Sequence, residues 1–253
     1  MLVELKEAIV LRSLDYKDSS KILYLYTDEG LKSVIAHSVK KMNSINRVLS
    51  QNGNLIKLNY TKSDFPSLKE GELVHDYPNI RKDLVAYTYM NHIMELIGNT
   101  IPSDSDHIKL YTFVKKIFLL LDQGIDPEVL SFIFELKLLY FLGYGLNFKE
   151  CNICTSKDNL VFSTDNGGLV CSEHLGLNQH SYGPLIYVNV MTLYFIDINK
   201  TEIPILEQND KTIIRHIIDI FPVTMTDEQI QNDLINRTNV SSECPAFTIT
   251  SYE

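Results

Sequence analysis

The chain has 253 residues, 45% of them hydrophobic and 22% charged, with a formal net charge of -9 at pH 7. That apolar share is ample for a packed core and excludes a wholly disordered chain. No apolar run is long enough to cross a bilayer, and the opening MLVELKEAIVLRS sets acids early in an alternating pattern, unlike a signal or transit peptide, so a soluble, cytoplasmic protein without a membrane partner is expected.

The first third reads as strands. Residues 8–11, 22–27, 31–39, 55–60 and 71–75 are short and rich in β-branched and aromatic side chains, with turn signals such as Asp28-Glu29-Gly30 and Asn52-Gly53-Asn54 between them. Five strands in so short a segment suit a small closed barrel of the OB type. Such barrels bind nucleic acid through a basic groove and exposed aromatics. Tyr16, Tyr24 and Tyr26 are available for stacking, although Tyr24 and Tyr26, two apart on one strand, suit a core face equally well. Charge is unevenly placed: residues 1–80 hold eleven basic and ten acidic side chains, leaving twelve against twenty-two in the remainder. The acidity therefore lies outside the part that a polyanion would meet. Within that part Lys32, His37, Lys40, Lys41 and Arg47 follow one another with no acid between them, either a phosphate-binding stretch or a solvated face.

Beyond Pro78 the period becomes helical. Residues 83–99 place Leu84, Tyr87, Met90, Met94 and Ile97 on one face, and residues 106–122 and 127–142 continue the pattern. Asp126-Pro127-Glu128 supplies a cap, a first-turn proline and an early acid, and Gly143 and Gly145 end that third helix. It is apolar nearly all round, which predicts the centre of a helical domain. Residues 186–198 are ambiguous between helix and strand, 210–221 read as a helix and 227–235 as one more short helix. From Thr238 the chain is polar, carries Cys244, and is expected to be disordered.

Between the helical stretches lies Cys151-x2-Cys154, then sixteen residues, then Cys171-x2-His174. Pairs of soft donors two residues apart suit a tetrahedral zinc, and Asp165-Asn166-Gly167-Gly168 is a hairpin signal that folds one pair back onto the other. A redox pair or a disulfide is the competing reading, but no βαβ pattern surrounds Cys151. Four protein ligands close a coordination sphere, so the metal is expected to be structural. There is no H-E-x-x-H and no deaminase signature; His92, His107, His180 and His216 are scattered, and neither an enzyme nor a small-molecule substrate is expected.

The expected fold is therefore α+β. A five-stranded OB-type β-barrel over residues 1–80 is followed by an α-helical bundle domain over 81–147 and 176–237. A zinc ribbon-like element is inserted at 148–175, and a tail covers 238–253. The run AIVLRSLDYKDSSKI, then FELKLLYFLGYG, then Cys151-x2-Cys154 and the return GGLVC-x2-His174 resembles the RecO family of bacterial recombinational DNA-repair mediators over about residues 3–221. The resemblance implies binding of single- and double-stranded DNA and annealing of complementary strands, without a nucleotide cofactor. It also implies action with RecR to load RecA on DNA coated by the single-strand-binding protein SSB, at the nucleoid of a bacterial cytoplasm. Carried onto this chain, it places the metal on Cys151, Cys154, Cys171 and His174. It places DNA contacts on the stretch His37-Ser38-Val39-Lys40-Lys41, with Arg12, Lys32, Arg47 and Lys57 as further phosphate contacts. The SSB tail goes to an apolar groove on the helical domain, near Lys115, Lys116 and Lys137. The net charge leaves a second reading, an adaptor that does not bind DNA and works through SSB and RecR.

Overall fold

The computed structural model describes residues 6–102, 105–177 and 179–220; the expected helix at 227–235, Cys244 and the tail lie outside them. The described residues form two compact units that divide between Pro127 and Glu128.

In the first unit β1 (Lys6–Tyr16), β2 (Ser20–Thr27), β3 (Gly30–Ala36), β4 (Leu55–Tyr60) and β5 (Leu68–His75) build an antiparallel sheet in the order β3-β2-β1-β4-β5. The long β1 organises it. Its first residues pair with β4 as far as Ile9–Leu55, then it runs along β2 to Tyr16–Ser20, with a register shift between Val10 and Arg12 where it changes partner. Alternation turns Ala8, Val10, Leu23, Leu25, Val34, Ala36, Ile56 and Leu58 into one buried cluster, closed below by Val39, Leu49 and Leu68. The outer strands meet at a single parallel bridge, Ile35–Ser67, where Ile35 N–H donates to Pro66 O at 2.7 Å. Gly30 makes the β2–β3 turn at φ +98°, and a Cβ there would stand 2.8 Å from His107 Nε2, so both backbone and space require glycine.

A short helix, α1 (Ile45–Leu49), escaped the sequence: five residues are too few to show a period, and Ser44 gives it no side-chain cap. Helices α2 (Leu84–Thr100) and α3 (His107–Asp122) follow. Asp83 caps α2 by accepting from Val85 and Ala86 N–H at 2.8 and 3.2 Å. Both helices belong with the sheet, not with the later helices, because they cover its other face. Tyr26 is fully buried and meets His107 and Tyr111 of α3 edge-on, each at 5.9 Å. Tyr111 Oη donates to Glu7 Oε1, and Asp122 accepts from Asn79 and Ile80 N–H. These contacts span residue 80, and the compact unit runs on to Pro127.

The second unit is built on α4 (Pro127–Phe141), buried from Val129 to Leu139 as its apolar circumference predicts. Strands β6 (Leu160–Ser163), β7 (Gly168–Cys171) and β8 (Ser181–Tyr182) form a small sheet in the order β7-β6-β8. Helices α5 (Pro184–Phe195) and α6 (Gln208–Ile220) complete the unit, which settles residues 186–198 as helix up to Phe195, started by Gly183-Pro184. The small sheet is joined to α5 by rings. Phe148 stacks on Phe162 of β6 at 5.8 Å and meets Tyr187, Tyr194 and Phe195 of α5 at 6.0, 5.2 and 5.6 Å. No helix among the described residues is long and apolar enough to cross a membrane.

Candidate nucleic-acid interface and metal centre

The two cysteine turns converge. Thr155 N–H returns to Cys151 O at 3.0 Å and His174 N–H to Cys171 O at 2.9 Å, so each pair is held in a tight turn that sends both donors the same way. Strand pairing of Leu160 with Cys171 sets one turn against the other. Cys154 Sγ stands 3.7 Å from Cys171 Sγ, and His174 Nδ1 stands 3.1 Å from Cys171 Sγ and 3.9 Å from Cys151 Sγ. All four donor atoms lie within 4.8 Å of one another. Around a tetrahedral ion with metal–sulfur bonds of about 2.3 Å, sulfurs stand about 3.7 Å apart and sulfur and nitrogen about 3.6 Å. The residues therefore fit a metal ion. The thiols are already biased toward giving one up to ionisation. Burial raises Cys151, but backbone N–H groups at Cys154, Cys171 and Ile153 outweigh it and bring it down to about 6. The Ser156 backbone favours the Cys154 thiolate, yet burial and the hydrogen bonds and charge of its neighbours push that thiol up. A cation at the centre removes this competition by holding every sulfur as thiolate. Gly168 makes the hairpin possible: a Cβ there would lie 2.5 Å from Asn147 O, which accepts from Leu169 N–H at 3.0 Å.

The second assembly is an open groove of about 630 Å3 in the first unit, lined by Ser13, Lys21, Val39, Lys40, Arg47, Ser50, Gln51, Asn52, Arg81 and Tyr87. Four cations from four separate segments face it. Lys40 is held by Asp15 at 2.8 Å, and Lys21 lies 3.9 Å from the same carboxylate and donates to Ser13 Oγ at 3.3 Å. The hydrogen bond and charge of Lys40, helped by Lys21, hold the Asp15 carboxyl below its usual range. Arg81 is fixed by Asp76 O at 2.7 Å, Asn52 O at 3.1 Å and the Asn54 side chain. Arg47 is exposed.

Two family models match this chain: one described as the N-terminal part of recombination protein O over residues 1–77, the other as its C-terminal part over residues 81–185. The chain belongs to the RecO family. Among its relatives is the DNA repair protein RecO of Exiguobacterium sibiricum, 29% identical over 225 residues that cover 87% of this chain and 90% of that one. DNA repair proteins RecO of Bacillus cereus and Bacillus anthracis are each 26% identical over 223 residues, covering 85% of this chain and 89% of theirs.

This RecO family member gathers only some of the cations that the sequence singled out. Lys40 and Arg47 share the groove with Lys21 and Arg81, which carried no sequence signal because each is a lone basic residue made significant by the fold. His37 and Lys41 are exposed beside it in sequence; His37 Nδ1 lies 3.2 Å from Ser20 Oγ. Lys32 belongs to the other end of the β2–β3 ladder, where it lies 3.9 Å from Glu29, itself bound to Lys6. Lys57 is opposite Glu7 and Glu72 across its two strand neighbours and pairs with Glu72 at 3.5 Å. Arg12 is exposed and stacks over Tyr24 at 4.2 Å. Of the candidate stacking tyrosines, Tyr26 is withdrawn into the core and Tyr24 lies half-buried under that guanidinium.

The three lysines expected near an SSB-tail groove fare unequally. Lys115 is bound to Glu7 and lies 4.8 Å over the Tyr111 ring. Lys116 is half-buried on α3, and no ion-pair partner is found for it among the described residues. Lys137 is corrected. It is only 3% exposed and donates to Tyr194 O at 2.8 Å, so its ammonium satisfies a carbonyl at the end of α5 and is not offered to a ligand. The same stretch of α4 holds a second buried charge that the sequence did not reveal. Glu135 accepts a two-pronged contact from Arg215 of α6 at 2.8 and 3.0 Å and a hydrogen bond from Ser131 Oγ at 2.6 Å.

Proposed function

We propose that this chain is a non-enzymatic DNA repair mediator. It binds single- and double-stranded DNA with an OB-type barrel, anneals complementary strands, and acts with RecR to place RecA on SSB-coated DNA in the bacterial cytoplasm. The observation that carries this reading is the convergence of Lys21, Lys40, Arg47 and Arg81 on one groove, in a chain whose net charge is -9. Four cations drawn together against that overall charge fit a phosphate backbone, which cations engage without reference to base sequence. Zinc is the ion proposed for the Cys151, Cys154, Cys171 and His174 centre: three thiolates and an imidazole in tetrahedral range are its usual ligands, and a closed sphere serves as a clamp for the small sheet. The SSB tail, an acidic segment, is assigned to the α3 surface around Lys116, where Leu119, one turn on, is exposed.

Lys40→Glu with Arg47→Glu is expected to weaken DNA binding at low salt by at least about tenfold and to flatten the log-log salt dependence by about 2, near 0.9 for each lost phosphate contact. Asp15→Asn is the reciprocal change. It releases Lys40 and Lys21 and is expected to tighten binding by about threefold. Fluorescence anisotropy with a labelled oligonucleotide measures both. Unchanged affinity in both variants would remove the groove from the interface, whereas a wild type that does not bind the oligonucleotide would favour the adaptor reading that the acidic charge suggests.

A further inference from the structure

Between Lys40 and Arg47, which both face the groove, the chain makes a projecting turn whose apolar residues have no place in the core. Met42 is 85% exposed and Ile45 58%. Other large apolar side chains, such as Phe65, Leu177 and Ile205, are also exposed, and single ones need no special account. Met42 and Ile45 are three residues apart, bracketed by Lys40, Lys41 and Arg47, and residues 37–47 contain no acid.

The turn is not loose. Lys40 N–H donates to Ser19 O at 3.3 Å, Lys41 N–H to Ser38 O at 3.1 Å, Ser44 N–H to Lys41 O at 3.2 Å, and Asn46 Nδ2 to His37 O at 2.8 Å. Ser38 is held at φ 59°, in the left-handed region that few residues enter without tertiary support. A fixed apolar tip, bracketed in the chain by cations that line the groove, suits a ligand that presents a phosphate backbone and, beside it, the flat apolar face of a base. Side chains such as Met and Ile inserted between base steps unstack them.

We propose that Met42 and Ile45 form an apolar wedge that enters the base stack at a junction of single and double strand, while Lys40 and Arg47 hold the flanking phosphates. The inference rests on the DNA-binding reading above. It adds that the protein opens a stacked step instead of only coating the backbone, which exposes bases for pairing with a second strand.

The test uses the full chain and an oligonucleotide duplex with a single-stranded overhang and 2-aminopurine at the junction. At saturating protein the wild type is expected to raise 2-aminopurine fluorescence about twofold or more as the step unstacks. Met42→Ser with Ile45→Ser is expected to lose most of that rise. Its affinity should stay within about threefold and its salt slope unchanged, because apolar contacts release no counterions. A variant that keeps the wild-type fluorescence rise overturns the wedge and leaves the DNA-binding reading standing. A wild type that binds the junction without unstacking it does the same. A wild type that fails to bind DNA removes both. A variant altered only in oligomeric state, by light scattering, assigns the tip to a protein contact and overturns the proposal.

Discussion

Chelator treatment, acting on the zinc proposed for the Cys151, Cys154, Cys171 and His174 centre, is expected to lower the melting temperature by about 10 °C or more, several kcal/mol in a unit of this size. The reason lies in how little else holds the small sheet. Strands β6, β7 and β8 have four, four and two residues, shorter than the usual five or six, so they offer little apolar face of their own. Its core is Cys151, Val170 and Cys171 with Leu160, Val161 and Leu175 packed around them, so two of its three buried members are themselves proposed ligands. Without an ion the same thiols compete for protons. Cys171→Ser should reproduce the loss, and the release of one zinc per chain, measured by mass spectrometry, should accompany it. Because β6 is tied to α5 through Phe148 and Phe162, the damage should reach the aromatic cluster and appear in near-ultraviolet circular dichroism. Full retention of the melting temperature after chelation would show that the cluster packs as thiols and needs no metal.

The second large effect is expected at Arg215. Its guanidinium grips Glu135 with both terminal nitrogens, keeps a weaker contact with Asp219 at 3.7 Å, and lies 4.8 Å over the Phe132 ring. The Glu135 side chain is 5% exposed, whereas that of Arg215 is 27% exposed. Truncation to alanine leaves a buried carboxylate short of its cation, at a cost of about 3 kcal/mol, toward the low end for such pairs because the arginine is partly solvated. Replacing both partners, Glu135→Gln with Arg215→Met, should cost less than the single truncation, since no charge is stranded. Urea unfolding measures each. A single variant within about 0.5 kcal/mol of wild type would mean that water already serves Glu135.

Much of this was legible in the residues. Strand alternation, the Asp83 and Asp126 helix starts and the apolar circumference of α4 are local signals, and the fold follows them. The C-x2-C and C-x2-H turns specify their own geometry, which is why all four donors meet. The cation-lined groove was half legible. Lys40 and Arg47 sit in a visible run, but Lys21 and Arg81 join them only through the β1–β2 hairpin and the clasp of Arg81 on Asn52 and Asn54, contacts far apart in sequence. Lys137 misled for the opposite reason. A lysine on an apolar helix looks like a cation at the edge of a surface, and only the position of the Tyr194 carbonyl shows that it points inward. The placement of α2 and α3 with the sheet was not legible either, because Tyr26 reads as well for a stacking platform as for a helix contact.

Annealing of complementary oligonucleotides, bare and coated with SSB, at two salt concentrations, bears most directly on the mediator reading. The expected result is annealing that falls as salt rises, persists on coated strands, and is lost when Lys40 and Arg47 are both reversed to glutamate. Failure on bare and coated strands alike, by a protein that still binds an SSB tail peptide, would contradict it and leave an adaptor whose DNA contacts come from its partners.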